Sequence, residues 1–251
     1  MKTEIIFEDK DILVVYKPAG LATQTAGVGQ QDVVSELKNY LWQKRMVTGM
    51  ALGRPAPYLG VIHRLDQPVE GLLVFALNAR TAGALTEQMR KQGETGMLHK
   101  RYYGVVYGSA DEEEGELIDY LYKNKDNMAV IVDAPEECGS PKGKEGFDAK
   151  KAVLRYHMLQ TVDRSGTLTL ADIHIFTGRF HQIRAQLAHA GMPLLGDMKY
   201  GSEASKAAAK TLRIPNVSLC AYSLEFIHPV TKEEMNFRIK PRGRAFSFFS
   251  Q

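Results

Sequence analysis

Cysteine is scarce: Cys138 and Cys220 are the only two in 251 residues, with no Cys-x-x-Cys pair or Cys/His ligand spacing around them. A disulfide framework and a structural zinc site are therefore poorly supported, and a reducing cytoplasm is the expected setting. Long hydrophobic runs are missing too. The longest, residues 12–16 and 72–77, are strand-sized, far short of the ~20 residues that cross a bilayer as a helix. The N-terminal ten residues mix charged and apolar side chains and lack the apolar stretch of a signal peptide. Charge of one sign is also in short supply, since 32 Lys+Arg against 29 Asp+Glu leave only +3. A basic surface for a polyanion must then come from position rather than from excess charge.

What is present is an ordinary globular balance, 44% hydrophobic and 24% charged, in a chain long enough to bury roughly 70–75% of its unfolded surface without staples. Short β-rich runs recur at 4–8, 12–16, 72–77, 102–107, 128–132, 152–159, 168–176, 218–226 and 235–239. Helical patterns are fewer. Asp32 is placed to cap a helix reaching about Met46, and 79–91 and 180–190 read as two more. Single helices between groups of strands predict an α+β fold, one domain over residues 1–251 around a mixed, mostly antiparallel sheet. Six carboxylates in 111–119 and four lysines in 142–151 read as exposed hairpins and loops with solvated charge.

Four segments concentrate polar side chains in apolar surroundings. Lys17-Pro18-Ala19-Gly20 ends a strand in a turn, Pro fixing one torsion and Gly permitting positive φ. His63-Arg64-Leu65-Asp66, followed by Gln67-Pro68 and the apolar run at 72–77, puts a carboxylate at the end of an element, where it can meet a ligand. Lys100-Arg101-Tyr102-Tyr103-Gly104 opens a strand with basic and aromatic positions, which alone signals only packing. Gly178-Arg179-Phe180-His181-Gln182-Ile183-Arg184 leads into a helix and on to Gly191-Met192-Pro193-Leu194-Leu195-Gly196-Asp197. If Arg184 is buried, it needs an anionic partner.

Together the four segments resemble the RluA-type family of RNA pseudouridine synthases, whose Lys-Pro-x-Gly, His-Arg-Leu-Asp, basic-x-Tyr and Gly-Arg-x-His-Gln-Ile-Arg patterns stand here in family order from Lys17 to Gly201. The resemblance implies isomerisation of uridine to pseudouridine in structured ribosomal or transfer RNA, with no cofactor and no metal. It implies no membrane and no obligatory protein partner. It also implies Asp66 as the catalytic carboxylate, Arg184 as the arginine pairing with it, and Tyr102 as the side chain that stacks on the target base. Arg64 corresponds to a residue that enters the RNA stack when a nucleotide is extruded, and Arg179, Lys17 and Lys100 are read as RNA-binding groups. Too few residues precede Lys17 for the small S4-like RNA-binding domain of many members, so a catalytic-domain-only form is expected.

Two positions depart from the family pattern. Val69-Glu70 stands where members commonly have Thr-Ser, and Glu70 is expected to face solvent, because pointing inward it would raise the pKa of Asp66. Phe180 replaces a small hydroxyl residue. Three rival readings fit the sequence less well. A catalytically silent RNA-binding homologue conflicts with the joint presence of Asp66, Tyr102 and Arg184. A hydrolase lacks a Gly-x-Ser-x-Gly elbow or paired carboxylates. A metal site from His63, His174, His181 and His189 lacks ligand spacing.

Overall fold

The computed structural model describes residues 1–25, 27, 29–47, 55–91, 98–132 and 149–250. Two units group by contact, Met1–His99 with Ala221–Lys240, and Lys100–Cys220 with Pro241–Gln251. The chain runs through strands β1 (Glu4–Glu8) and β2 (Ile12–Lys17), helix α1 (Val33–Val47), strands β3 (Gly60–Val61) and β4 (Glu70–Ala76), and helix α2 (Ala79–Arg90). Then come β5 (His99–Tyr107), β6 (Glu114–Lys123), β7 (Ala129–Val132), β8 (Lys150–Asp163), β9 (Thr167–Ile175), helices α3 (Gln182–His189) and α4 (Glu203–Thr211), β10 (Leu219–Ile227) and β11 (Glu234–Arg238). The class is α+β, as the sequence predicts, and every strand pair of described register is antiparallel. None of the described helices is long and apolar enough to cross a membrane.

In the first unit β2 and β4 read as continuous apolar runs because they are buried along their whole length. Their register pairs Val14 with Val74 and Ile12 with Ala76. These residues join Leu72, Leu85 of α2, Leu224 and Phe226 in one core, where each fully buried branched side chain contributes roughly 1.5–3 kcal/mol. Gly71 admits no side chain: at φ +134° its Cβ would stand 2.5 Å from the backbone N and O of Ala221. The start of α1 follows from Asp32, whose carboxylate accepts the N–H of Ser35 at 2.7 Å. Asn78 caps α2 by accepting the N–H of Thr81.

The second unit orders its strands β5-β9-β8-β6-β7. Ala185 of α3 packs with Leu121, Ala129 and Ala152, which fixes the helix against β6, β7 and β8. The strand β6 overlaps the acidic stretch at 111–119, which reads in the sequence as exposed hairpins and loops, and pairs antiparallel with β7 and β8. Acidic residues are rare in strands, but here Glu116 lies opposite Arg155 and its carboxylate accepts the guanidinium N–H at 2.8 Å. The nine-residue helix α4 was not anticipated, although Ser202 caps it by accepting the N–H of Ser205. Cys138 and residues 142–148 of the lysine-bearing stretch lie outside the described residues, and Cys220 is buried.

Candidate active site

The loop between β3 and β4 carries His63, Arg64 and Asp66, and the segment that follows β2 holds it. Thr23 Oγ1 donates to the Leu65 carbonyl at 2.9 Å and accepts the Leu65 N–H at 3.1 Å. The Gly20 N–H donates to the Gln67 carbonyl at 2.8 Å, and Gln67 Nε2 donates back to the Gly20 carbonyl at 3.1 Å. The Val69 N–H closes a turn on the Asp66 carbonyl at 3.0 Å. His63 is buried, and its Nε2 accepts the Val74 N–H. Asp66 is thus a half-buried carboxylate on a backbone fixed at both flanking residues, and Arg64 projects as an exposed side chain.

Lys17 is the centre of that bracing and corrects an expectation. Its side chain is fully buried, and Nζ donates to the carbonyls of Pro18, Leu21 and Gln67 at 3.0, 2.7 and 3.1 Å. An ammonium whose three protons are all spent on backbone carbonyls has none for a phosphate. Lys17 is therefore a loop brace and not an RNA contact. Burial pulls its pKa down to about 7, against the carboxylates of Asp66 and Glu70, which push it up.

Glu70 is the second correction. It was expected to face solvent, yet it is only 3% exposed and accepts the Tyr16 hydroxyl at 2.5 Å. The cause is its position as first residue of β4, buried on both faces, beside Tyr16 and Lys17 of the neighbouring strand. A carboxylate fits there because a phenol donor and a nearby ammonium meet it.

In the second unit the Gly178–Arg184 segment is organised by its glutamines. Gln182 Oε1 accepts the Thr177 hydroxyl at 2.8 Å and the Arg179 N–H at 3.0 Å, and its Nε2 donates to the Val153 carbonyl at 3.1 Å. Gln186 Nε2 donates to the Leu117 carbonyl at 3.2 Å and the Asp119 carboxylate at 2.6 Å. The helix begins at Gln182, two residues later than expected, because His181 adopts a left-handed φ of 52°. Arg184 is buried, and its Nε and one terminal nitrogen donate to the two oxygens of Asp197 at 2.7 and 2.8 Å. Asp197 also accepts the N–H groups of Lys199 and Tyr200. Burial alone would raise its pKa; the Arg184 hydrogen bonds and charge, with those two N–H donors, bring it below the ordinary carboxylate value. Asp197, the last residue of the Gly191–Asp197 segment, is the anion that a buried Arg184 requires.

Tyr102 and Lys100 lie two apart on β5, both buried, while Arg101 between them is exposed and pairs with Asp172. Lys100 is a third correction. At 4% exposure it is no part of an accessible basic face, and burial alone lowers its pKa to about 7. Arg179 remains exposed, with its Nε donating to the Lys151 carbonyl at 2.9 Å. The structure thus gathers Lys17, Arg64 and Asp66 in the first unit, and Lys100, Tyr102, Arg179 and Arg184 in the second.

Among the described residues one group has the composition of a metal site, Asp9, Asp11 and His228. His228 Nδ1 accepts the N–H groups of Val230 and Thr231 at 3.3 and 3.0 Å, so the ring proton sits on Nε2, 3.0 Å from Asp9 Oδ2. That tautomer offers a cation no lone pair at Nε2. The cluster is a brace between two turns.

Residues 11–189 match the family model of RNA pseudouridylate synthases. The chain belongs to that family of isomerases, which convert uridine to pseudouridine in RNA, and to its RluA type. It is 31% identical to a dual-specificity RNA pseudouridine synthase RluA of Vibrio parahaemolyticus over 90% of this chain and 78% of the relative. It is 28% identical to a ribosomal large subunit pseudouridine synthase D of Zymomonas mobilis, over 93% and 68% of the two chains. The solved human RNA pseudouridylate synthase domain containing 4 shares the fold, with a TM-score of 0.69 at 24% identity over 98% of this chain and 91% of that one.

Proposed function

We propose that residues 1–251 act as one cytoplasmic catalytic domain that isomerises specific uridines of structured ribosomal or transfer RNA, with Asp66 as the catalytic carboxylate. Asp66 adds to C1′ of the target nucleotide or takes the C2′ proton, and the C1′–N1 bond breaks with its electron pair passing to the uracil. The freed base turns and C5 bonds to C1′, while the Asp66 carboxylate either leaves C1′ or returns its proton to C2′, and is regenerated. The C5 proton leaves and N1 gains one, so no atom is lost and no oxidant or reductant is required. Tyr102 stacks on the base and accepts the C5 proton. Arg184, oriented by Asp197, belongs to the catalytic set, and the exposed Arg64 fills the space an extruded nucleotide leaves. Arg179 holds phosphate.

The observation that carries this reading is the bracing around Asp66. A carboxylate that must meet one carbon of a flipped nucleotide needs a fixed backbone, and Thr23, Gly20 and Lys17 bind the residues on either side of it. The name of the Zymomonas relative favours ribosomal RNA among the substrates.

The test is carbodiimide-dependent primer extension on RNA from cells with and without the gene, complemented by wild type or by Asp66→Ala. A stop that disappears on deletion and returns only with the wild type supports the activity and locates the uridine. Persistence of every stop, together with failure of the purified protein to convert uridine in ribosomal and transfer RNA, favours the silent RNA-binding homologue.

A further inference from the structure

Phe180 is 39% exposed at the entry to α3, and single exposed apolar residues are common on protein surfaces. This one is built into a stack. Its ring lies 3.8 Å from that of His181 at 20° between planes. The His181 ring is itself fixed, with Nδ1 2.8 Å from the Tyr200 hydroxyl, which also accepts the Ala129 N–H at 2.7 Å. Tyr200 in turn meets the Arg184 guanidinium over its ring at 5.2 Å. The left-handed backbone at His181 is a conformation that strains a non-glycine residue, so the surrounding structure must hold it.

Besides His181, Phe180 receives the Lys123 ammonium over its ring, 4.7 Å from the centroid. Lys123 is the exposed last residue of β6 and makes no ion pair among the described residues. A cation over an exposed aromatic face is held weakly and is easily displaced. The exposed side chain of Arg179 adjoins it in sequence. An exposed aromatic ring under a cation without an ion pair, next in sequence to a second exposed basic residue, matches an unpaired nucleotide, whose base has a π-face and whose phosphate takes the displaced ammonium.

We propose that Phe180 is a stacking platform for an unpaired nucleotide of the RNA substrate outside the reacting uridine, with Lys123 moving from the ring to that nucleotide's phosphate. The proposal rests on the RNA-isomerase reading and adds to it a specificity-determining residue. His181 and Tyr200 position the platform relative to Arg184, so RNA bound on the ring is registered with α3.

The test uses the whole protein and RNA tritiated at uridine C5, purified from cells lacking the gene. Turnover releases the C5 hydrogen, and filter binding to the same RNA reports affinity independently. Phe180→Ala is expected to raise the half-saturating RNA concentration and the dissociation constant about tenfold, with the plateau rate falling less than twofold. Phe180→Tyr keeps the π-face and is expected to match the wild type, while Phe180→Leu, which keeps only apolar bulk, behaves as Ala. Lys123→Gln is expected to weaken binding and to flatten its salt dependence. Unchanged binding in Phe180→Ala, or equal loss in Phe180→Tyr and Phe180→Ala, overturns the platform. Absence of tritium release by the wild type overturns the isomerase reading, and the binding series then still decides the platform.

Discussion

Lys17 Nζ donates a hydrogen bond to the carbonyl of Gln67, the residue after Asp66, at 3.1 Å across fifty positions of sequence. The Lys-Pro-x-Gly turn thereby helps to hold the loop that carries Asp66. On the proposed reading Lys17 is a positioning residue.

Replacing it tests that role. Lys17→Met strips a donor from the carbonyls of Pro18, Leu21 and Gln67, and is expected to destabilise the fold by on the order of 3 kcal/mol. Thr23→Val, which removes only the two bonds to Leu65, is the milder probe at about 1–2 kcal/mol. In Thr23→Val the single-turnover rate is expected to fall at least fivefold while RNA affinity stays within twofold. Equal loss of rate and affinity would falsify a positioning role.

Asp197→Asn removes the charge that neutralises Arg184 in a buried pair. Breaking such a pair from one side costs about 3–5 kcal/mol, so the thermal midpoint is expected to drop strongly and single-turnover activity to collapse. The folded-state pKa of Asp197 is depressed, so its share of stability is present above the ordinary carboxylate range and lost as pH falls through the depressed value. The wild type should lose stability more steeply than Asp197→Asn on acidification, measured by denaturant midpoints below about pH 4.

Lys100 gives a slope of the same sign in a more alkaline window. Its folded pKa is about 7 against an ordinary 10.5, so between those values the unfolded chain binds more protons. Stability therefore rises with pH across that window, by up to about 1.4 kcal/mol per pH unit, and the full penalty of the buried ammonium is present below it. Lys100→Met is expected to be more stable than the wild type at pH 6, with the difference shrinking towards pH 10. A pH-independent difference in unfolding midpoints counts against burial as the cause.

Glu70 makes a sharper test of its own corner. Glu70→Gln keeps a partner for the Tyr16 hydroxyl but removes one of the two carboxylates that hold up the pKa of Lys17. The expected outcome is a small loss of stability at pH 8, under about 1.5 kcal/mol, with activity retained. Loss of activity at unchanged stability would instead tie Glu70 to the reaction.

The sequence by itself determined what depends on near neighbours. The capping carboxylate of Asp32 and the amide of Asn78 act on N–H groups three residues away, and the apolar runs of β2 and β4 announce strands buried on both faces. The order of the four motifs likewise marked the family and nominated Asp66, Tyr102 and Arg184. Burial and charge pairing were decided elsewhere, by residues far along the chain. Glu70 is inward because Tyr16 stands 54 positions away in sequence but on the adjoining strand. The acidic β6 is a strand because β8 supplies Arg155 opposite Glu116. The ammoniums of Lys17 and Lys100 look like phosphate ligands in a one-dimensional reading. Only the packed sheet withdraws them from solvent, since the desolvation that sets their pKa is a property of everything around them and not of the residue type.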